Sequence, residues 1–164
     1  MQSRHLVLFT LLLALTACSN PAPPKADAST SASASGEGTQ ADAVTRIGDV
    51  SIRASVIQTS MLNEPVAREY GITRDPKTVL LLVAVRQGPD ATATALPASI
   101  TATATDLRGG TQDIAMRELK SGDLVDYIGT VGTTLPDTLR FDITVVRAGG
   151  ATSTMQLQRE FYPR

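Results

Sequence analysis

The chain has 164 residues, 42% of them hydrophobic, carries a formal net charge of −1 and contains no tryptophan. That length fits one domain plus a tail, and a mildly acidic balance without a basic cluster argues against a nucleic-acid partner. The single cysteine is Cys18 and the single histidine is His5. A disulfide is therefore excluded, as is a zinc or copper site built on imidazole and thiolate.

The opening residues Met1 to His5 carry Arg4, and Leu6 to Leu15 form an apolar run broken only by Thr10. A basic start, about ten apolar residues and small residues at a cut site are the marks of a secretory signal peptide. The run is too short to span a bilayer, which takes roughly 20 apolar residues. It closes on Leu15-Thr16-Ala17-Cys18, which resembles the lipobox of bacterial lipoproteins. The resemblance implies that the Cys18 thiol takes a diacylglyceryl group and that the leader, residues 1–17, is cut away before it. Cysteine suits this chemistry because its thiolate is a strong nucleophile. Two or more acyl chains then anchor durably, where one gives only marginal affinity. Ser19 follows in place of the Asp that retains many Gram-negative lipoproteins at the inner membrane. The expected location is thus the cell envelope, facing the periplasm, with the outer membrane favoured. His5 and Arg4 leave with the leader, so no histidine-dependent triad is available to the mature chain.

Residues 18–45 hold Pro21, Pro23 and Pro24, then Ala, Ser, Gly and Thr, with no bulky apolar residue before Val44. Such a segment cannot bury enough surface to offset the entropy of ordering it, so a disordered tether is expected. A coil of that composition and about 27 residues spans about 30 Å on average.

From residue 46 to 164 the hydrophobic period changes to two. Val50-Ile52-Ala54-Val56 alternate with Ser51-Arg53-Ser55-Ile57, which predicts a half-buried strand. A helix of about two turns follows, with Asn63 as its cap, Pro65 in its first turn and Gly71 at its close. Val66 and Tyr70, four apart, are expected on its buried face. Val79 to Val85 is apolar on both faces, so it reads as a central strand with the helix covering its outer side. Gln87 to Pro97 reads as a polar loop.

Further strands are expected at 99–105, 112–119, 124–131, 139–145 and 154–162, separated by Gly109-Gly110, Ser121-Gly122, Pro136-Asp137 and Gly149-Gly150. About seven strands joined mostly by hairpins, with one short helix, predict an all-β fold. Its expected form is a two-sheet antiparallel sandwich, immunoglobulin-like in architecture.

Candidate chemistry is thin. Were Gly109-Gly110 a two-residue turn, Asp106 would face Asp113, an acidic dyad suited to a carboxylate-dependent envelope hydrolase. A three-residue turn with a glycine bulge instead sets Ile114 and Met116 opposite Asp106 and Ala104. It places most apolar residues on one face, and is the register that burial favours. Met116 and Met155 read as core filling, Lys120-Ser121 as a solvated turn, and Asp123 and Asp126 as surface carboxylates without a full calcium loop. The row Thr101-Thr103-Thr105 reads as an exposed strand face. No catalytic residue, cofactor or metal is expected. The cluster of Arg68, Tyr70 and Arg74 around Gly71 is the candidate docking patch.

The stretch Leu62-Asn63-Glu64-Pro65-Val66-Ala67-Arg68-Glu69-Tyr70-Gly71-Ile72-Thr73-Arg74, the strand after it, and the ending Arg159-Glu160-Phe161-Tyr162 together resemble the bacterial family known as domain of unknown function 4426. The resemblance spans about Ile47 to Arg164 and implies an exported β-sandwich without assigning an activity. The expected function is a non-enzymatic protein-interaction module of the envelope, with an envelope protein as partner. A small-ligand-binding sandwich is the alternative, and a hydrolase a more distant one.

Overall fold

Every second residue of the segment from Val50 to Val56 is buried, and that alternation recurs along most of the chain from residue 50 to the end. The computed structural model describes residues 42–163. The leader, Cys18 and the tether up to residue 41 lie outside the described residues.

Ten strands are described: β1 Ala43–Ile47, β2 Val50–Gln58, β3 Thr78–Gln87, β4 Thr94–Ala95, β5 Ala98–Thr105, β6 Thr111–Ile114, β7 Arg117–Ser121, β8 Leu124–Gly132, β9 Asp137–Arg147 and β10 Thr152–Phe161. A single turn of 3-10 helix, Thr59–Met61, and the helix α1, Glu64–Glu69, stand between β2 and β3. The larger sheet runs β1-β2-β3-β8-β7, with β4 added beside β3; the smaller runs β10-β9-β5-β6. All pairs are antiparallel. The fold is an all-β sandwich of two antiparallel sheets, as the sequence implies.

The core lies between the sheets. Ile52, Leu81, Val83 and Val85 of the larger sheet meet Phe141, Ile143, Val145 and Phe161 of the smaller, all within 1–2% of complete burial. Each such side chain contributes about 1.5–3 kcal/mol by leaving water. Tyr127 joins them, and its hydroxyl accepts the Ala98 N–H at 2.8 Å, which satisfies the one polar atom it brings inside.

The central strand β3 is apolar on both faces for the reason expected. Its inward residues fill the core, while Leu80, with Leu119 and Ile128, forms a second cluster on the outer face. Leu62, Tyr70 and Ile72, from the two ends of α1, pack over that cluster. Asn63 caps the helix by accepting the Val66 N–H at 2.9 Å, and Pro65 sits in its first turn. Gly71, at φ +63°, turns the chain out, while the Ile72 N–H reaches the Ala67 carbonyl at 2.8 Å. The buried helix residue is Ala67; Val66 and Tyr70 are only half-buried. A two-turn helix lying against a sheet brings its smallest side chain closest.

Four details differ from the sequence reading. First, β1 takes in residues 43–45, which the sequence reading assigns to the tether. Second, β4 occupies two residues of the expected loop from Gln87 to Pro97.

Third, residues 112–119 are not one strand. The chain leaves the smaller sheet after Ile114 and joins the larger at Arg117. The reason lies in parity. Ile114 and Leu119 are five apart and would point to opposite faces of a single strand. Here Ile114 enters the intersheet core and Leu119 the outer cluster, each burying its apolar side.

Fourth, the β5–β6 hairpin adopts neither register considered above. Thr105 faces Thr111 and Ala102 faces Ile114, leaving a five-residue loop over 106–110. The loop is held from within. Asp106 Oδ1 accepts the N–H groups of Arg108 and Gly110, both at 2.8 Å, and Gly109 takes φ +86°. Ile114 and Met116 therefore do not face Asp106 and Ala104. Asp113 faces Thr103 instead of Asp106, so the acidic dyad does not form.

Candidate functional site

A groove of about 440 Å³ opens on the outer face of the larger sheet. Its floor is β3 and β8, contributing Thr78, Leu80, Ile128, Gly129 and Thr130. One wall is the exit from α1, with Gly71, Ile72, Thr73 and Asp75. The other is the crossover between β6 and β7, with Ala115 and Arg117. Sequence order alone does not bring these walls together, since they come from segments at least 40 residues apart.

The helix-exit wall is pinned by two side chains where β2 passes into the 3-10 turn. Thr59, wholly buried, accepts the Asp75 N–H at 2.9 Å and donates its hydroxyl hydrogen to the Asp75 carbonyl at 3.0 Å. Gln58 donates to the carbonyls of Pro76, at 2.9 Å, and Tyr162, at 3.2 Å. The Asp75 carboxylate turns onto its own loop, where Oδ1 accepts the Lys77 N–H at 2.6 Å and the Thr78 hydroxyl at 3.5 Å. At the other wall, Arg117 donates through Nη2 to the Tyr70 carbonyl, closing one end of the groove. A cation at a helix C-terminus is favourably placed against the helix dipole.

Arg68, Tyr70 and Arg74 are not gathered into one patch. Arg68 lies along the helix, paired with Glu64 at 2.8 Å, and both side chains are more than two-thirds exposed. Arg74 reaches back to the Ser60 carbonyl at 2.8 Å. Tyr70 packs its ring on the outer cluster and offers its carbonyl to Arg117. The groove beside Gly71 is lined by neighbours of the expected patch. Arg117 carried no signal in sequence, because its approach to Tyr70 depends on the crossover.

The remaining candidates fall into structural places. Asp126 pairs with Arg86 on the outer face of the larger sheet, and Arg86 also donates to the carbonyls of Val85, at 3.1 Å, and Val125, at 2.9 Å. Asp123 is exposed in the β7–β8 turn, and Lys120 and Ser121 are exposed on the edge strand β7. Met116 and Met155 are half-buried and pack against the core. Thr101, Thr103 and Thr105 line the outer face of the smaller sheet, Thr101 exposed and the other two half-buried. Among the described residues no group of three or more His, Cys, Asp or Glu side chains is placed to hold a metal ion.

Solved structures with a similar fold are known. A crystal structure of a DUF4426 family protein from Pseudomonas aeruginosa PAO1 superposes with a TM-score of 0.63 at 23% identity, covering 75% of this chain and 96% of that one. FetP of uropathogenic Escherichia coli strain F11 is more distant. A copper-bound variant gives a TM-score of 0.49 at 10% identity, covering 73% of this chain and 93% of that one. The as-isolated protein gives 0.46 at 12%, covering 73% and 91%. No curated protein matches the chain. The model of the family described as domain of unknown function DUF4426 matches residues 44–164, taking in every strand but the first residue of β1, and the chain belongs to that family.

Proposed function

We propose that the chain is a lipid-anchored protein of the cell envelope whose sandwich faces the periplasm and acts by binding rather than by catalysis, with an envelope protein as its partner. The observation that carries the binding reading is the groove beside α1, which combines an apolar floor with hydroxyls and two opposite charges. The absence of histidine and cysteine from residues 42–163 supports binding over catalysis by an imidazole or a thiol. Support for the anchor comes from the leader ending in Leu15-Thr16-Ala17-Cys18, and for the outer membrane from Ser19.

Metabolic labelling with a fatty acid, followed by membrane fractionation, tests the anchor. Wild-type chain is expected to carry label and to sediment with outer membranes, and Cys18→Ala to do neither. An unlabelled wild-type chain would overturn it. A photo-crosslinking residue placed at Thr73 or Thr130, on the wall and the floor of the groove, is expected to capture a discrete envelope protein. Capture equal to that from a site on the outer face of the smaller sheet, such as Thr101, would count against the groove as the contact surface.

A second reading has its own support. A volume of about 440 Å³ falls within the range of small-molecule sites, roughly 300–1,000 Å³, so the groove also suits a small ligand.

A further inference from the structure

Resting on that second reading, we propose that the groove is a site for a short peptide of two or three residues with free ends. Its carboxylate would sit on Arg117 and its ammonium on Asp75.

The two charges are both open to a ligand. Arg117 forms no ion pair among the described residues; its one hydrogen bond there goes to the Tyr70 carbonyl through Nη2. A guanidinium carries five N–H donors in a planar fork, so most remain for a carboxylate. The Tyr70 bond holds that fork at the groove end, with Nη2 3.8 Å from where a side chain on Gly71 would begin. Asp75 uses only Oδ1 for its loop; Oδ2 accepts no hydrogen bond among the described residues. Neither neighbouring cation lines the groove: Arg74 donates to the Ser60 carbonyl, and Lys77 is exposed on the loop.

Strand register sets how far apart along the strands the two anchoring positions lie. Arg117 is opposite Ile128, which is opposite Leu82 on β3. The Asp75 carboxylate sits at the level of Thr78, which is opposite Gly132. Those two levels are four residues apart along the strands, about 13 Å. An extended peptide advances about 3.3–3.6 Å per residue, so two or three residues with their end groups bridge that interval.

The middle of the groove suits a peptide backbone with small side chains. Leu80 and Ile128 give an apolar floor. The hydroxyls of Thr73 and Thr130, without partners among the described residues, flank that floor.

The test uses isotope-labelled full-length protein in detergent, titrated at millimolar concentration with trialanine, trialanine capped at one end or both, and maltose. The amide resonances of Thr73 and Thr130 report binding. Free trialanine is expected to shift both, with N-acetylation and C-amidation each weakening binding at least tenfold. Arg117→Gln keeps a donor for Tyr70 and is expected to abolish the sensitivity to amidation. Asp75→Asn keeps an acceptor for Lys77 and is expected to abolish the sensitivity to acetylation. Capped peptide binding as tightly as free peptide would overturn the assignment of the ends. Maltose or doubly capped peptide binding where free trialanine does not would also overturn it, while leaving the ligand-binding reading standing. No shift with any of them would overturn both.

Discussion

The carbonyl oxygen of Ala115 lies 2.9 Å from the point where a side chain on Gly129 would begin. Ile114 Cγ2 and Met116 Sδ crowd the same point at 2.5 and 2.8 Å. The chain crosses between sheets directly over the one residue of β8 that leaves room for it.

Gly129→Ala is therefore expected to destabilise the fold by about 1–3 kcal/mol, the usual cost of overpacking against backbone. Gly132→Ala provides the control, since its nearest neighbour is Gln112 Oε1 at 4.0 Å. That change is expected to be neutral or slightly stabilising, because alanine narrows the unfolded ensemble. Urea unfolding of both variants checks the contrast, and equal midpoints would refute it.

Thr59→Val keeps the shape of a buried side chain and removes the hydroxyl that serves both backbone groups of Asp75. Leaving them without a partner is expected to cost about 2–4 kcal/mol. Amide hydrogen exchange at Asp75 is expected to accelerate beyond that at β3, because the damage is local to the groove wall. Uniform acceleration across the domain would mean that Thr59 acts only on global stability.

The Arg86–Asp126 pair joins β3 to β8 with side chains 17% and 21% exposed. A double-mutant cycle with Arg86→Gln and Asp126→Asn is expected to give a coupling energy of about 1–2 kcal/mol, above that of a surface pair. The largely exposed Arg68–Glu64 pair, measured the same way, is expected to give no more than about 0.5 kcal/mol. Thermal or denaturant unfolding of each cycle reads both numbers.

Asp90 responds to pH through Arg46. The Arg46 guanidinium donates to the Asp90 carboxylate at 3.0 and 3.3 Å, and that hydrogen bond, then its charge, holds the carboxyl below the usual carboxylate range. A lowered folded value means that the pair's contribution is present above the ordinary aspartate value. It is lost as pH falls through the folded one. Arg46→Gln is expected to raise the Asp90 value, and about 0.5 M salt to raise it in part, since both groups are exposed. Carboxyl NMR titration measures it, and an unchanged Asp90 value in Arg46→Gln would remove the pair as the cause.

Strand positions were legible because alternation and turn residues are local signals: Val50 to Val56, Leu139 to Val145 and the helix from Asn63 to Gly71 needed no partner to be recognised. The double-sided apolar run at Val79–Val85 also revealed that something must cover it. The β5–β6 register was not legible. Asp106 organises a loop whose length depends on side-chain to backbone bonds rather than on the Gly-Gly pair alone. The break after Ile114 left a trace in the parity of Ile114 and Leu119, but a two-residue switch between sheets makes sense only once both burial sites exist. The groove belongs to the same class. Gly71 to Asp75 were visible as a helix exit, yet Arg117 reaches Tyr70 only because the crossover passes over Gly129. Local periodicity decides what each segment becomes. Which segments meet, and so where opposite charges stand across an apolar floor, follows from how the two sheets bury their faces together.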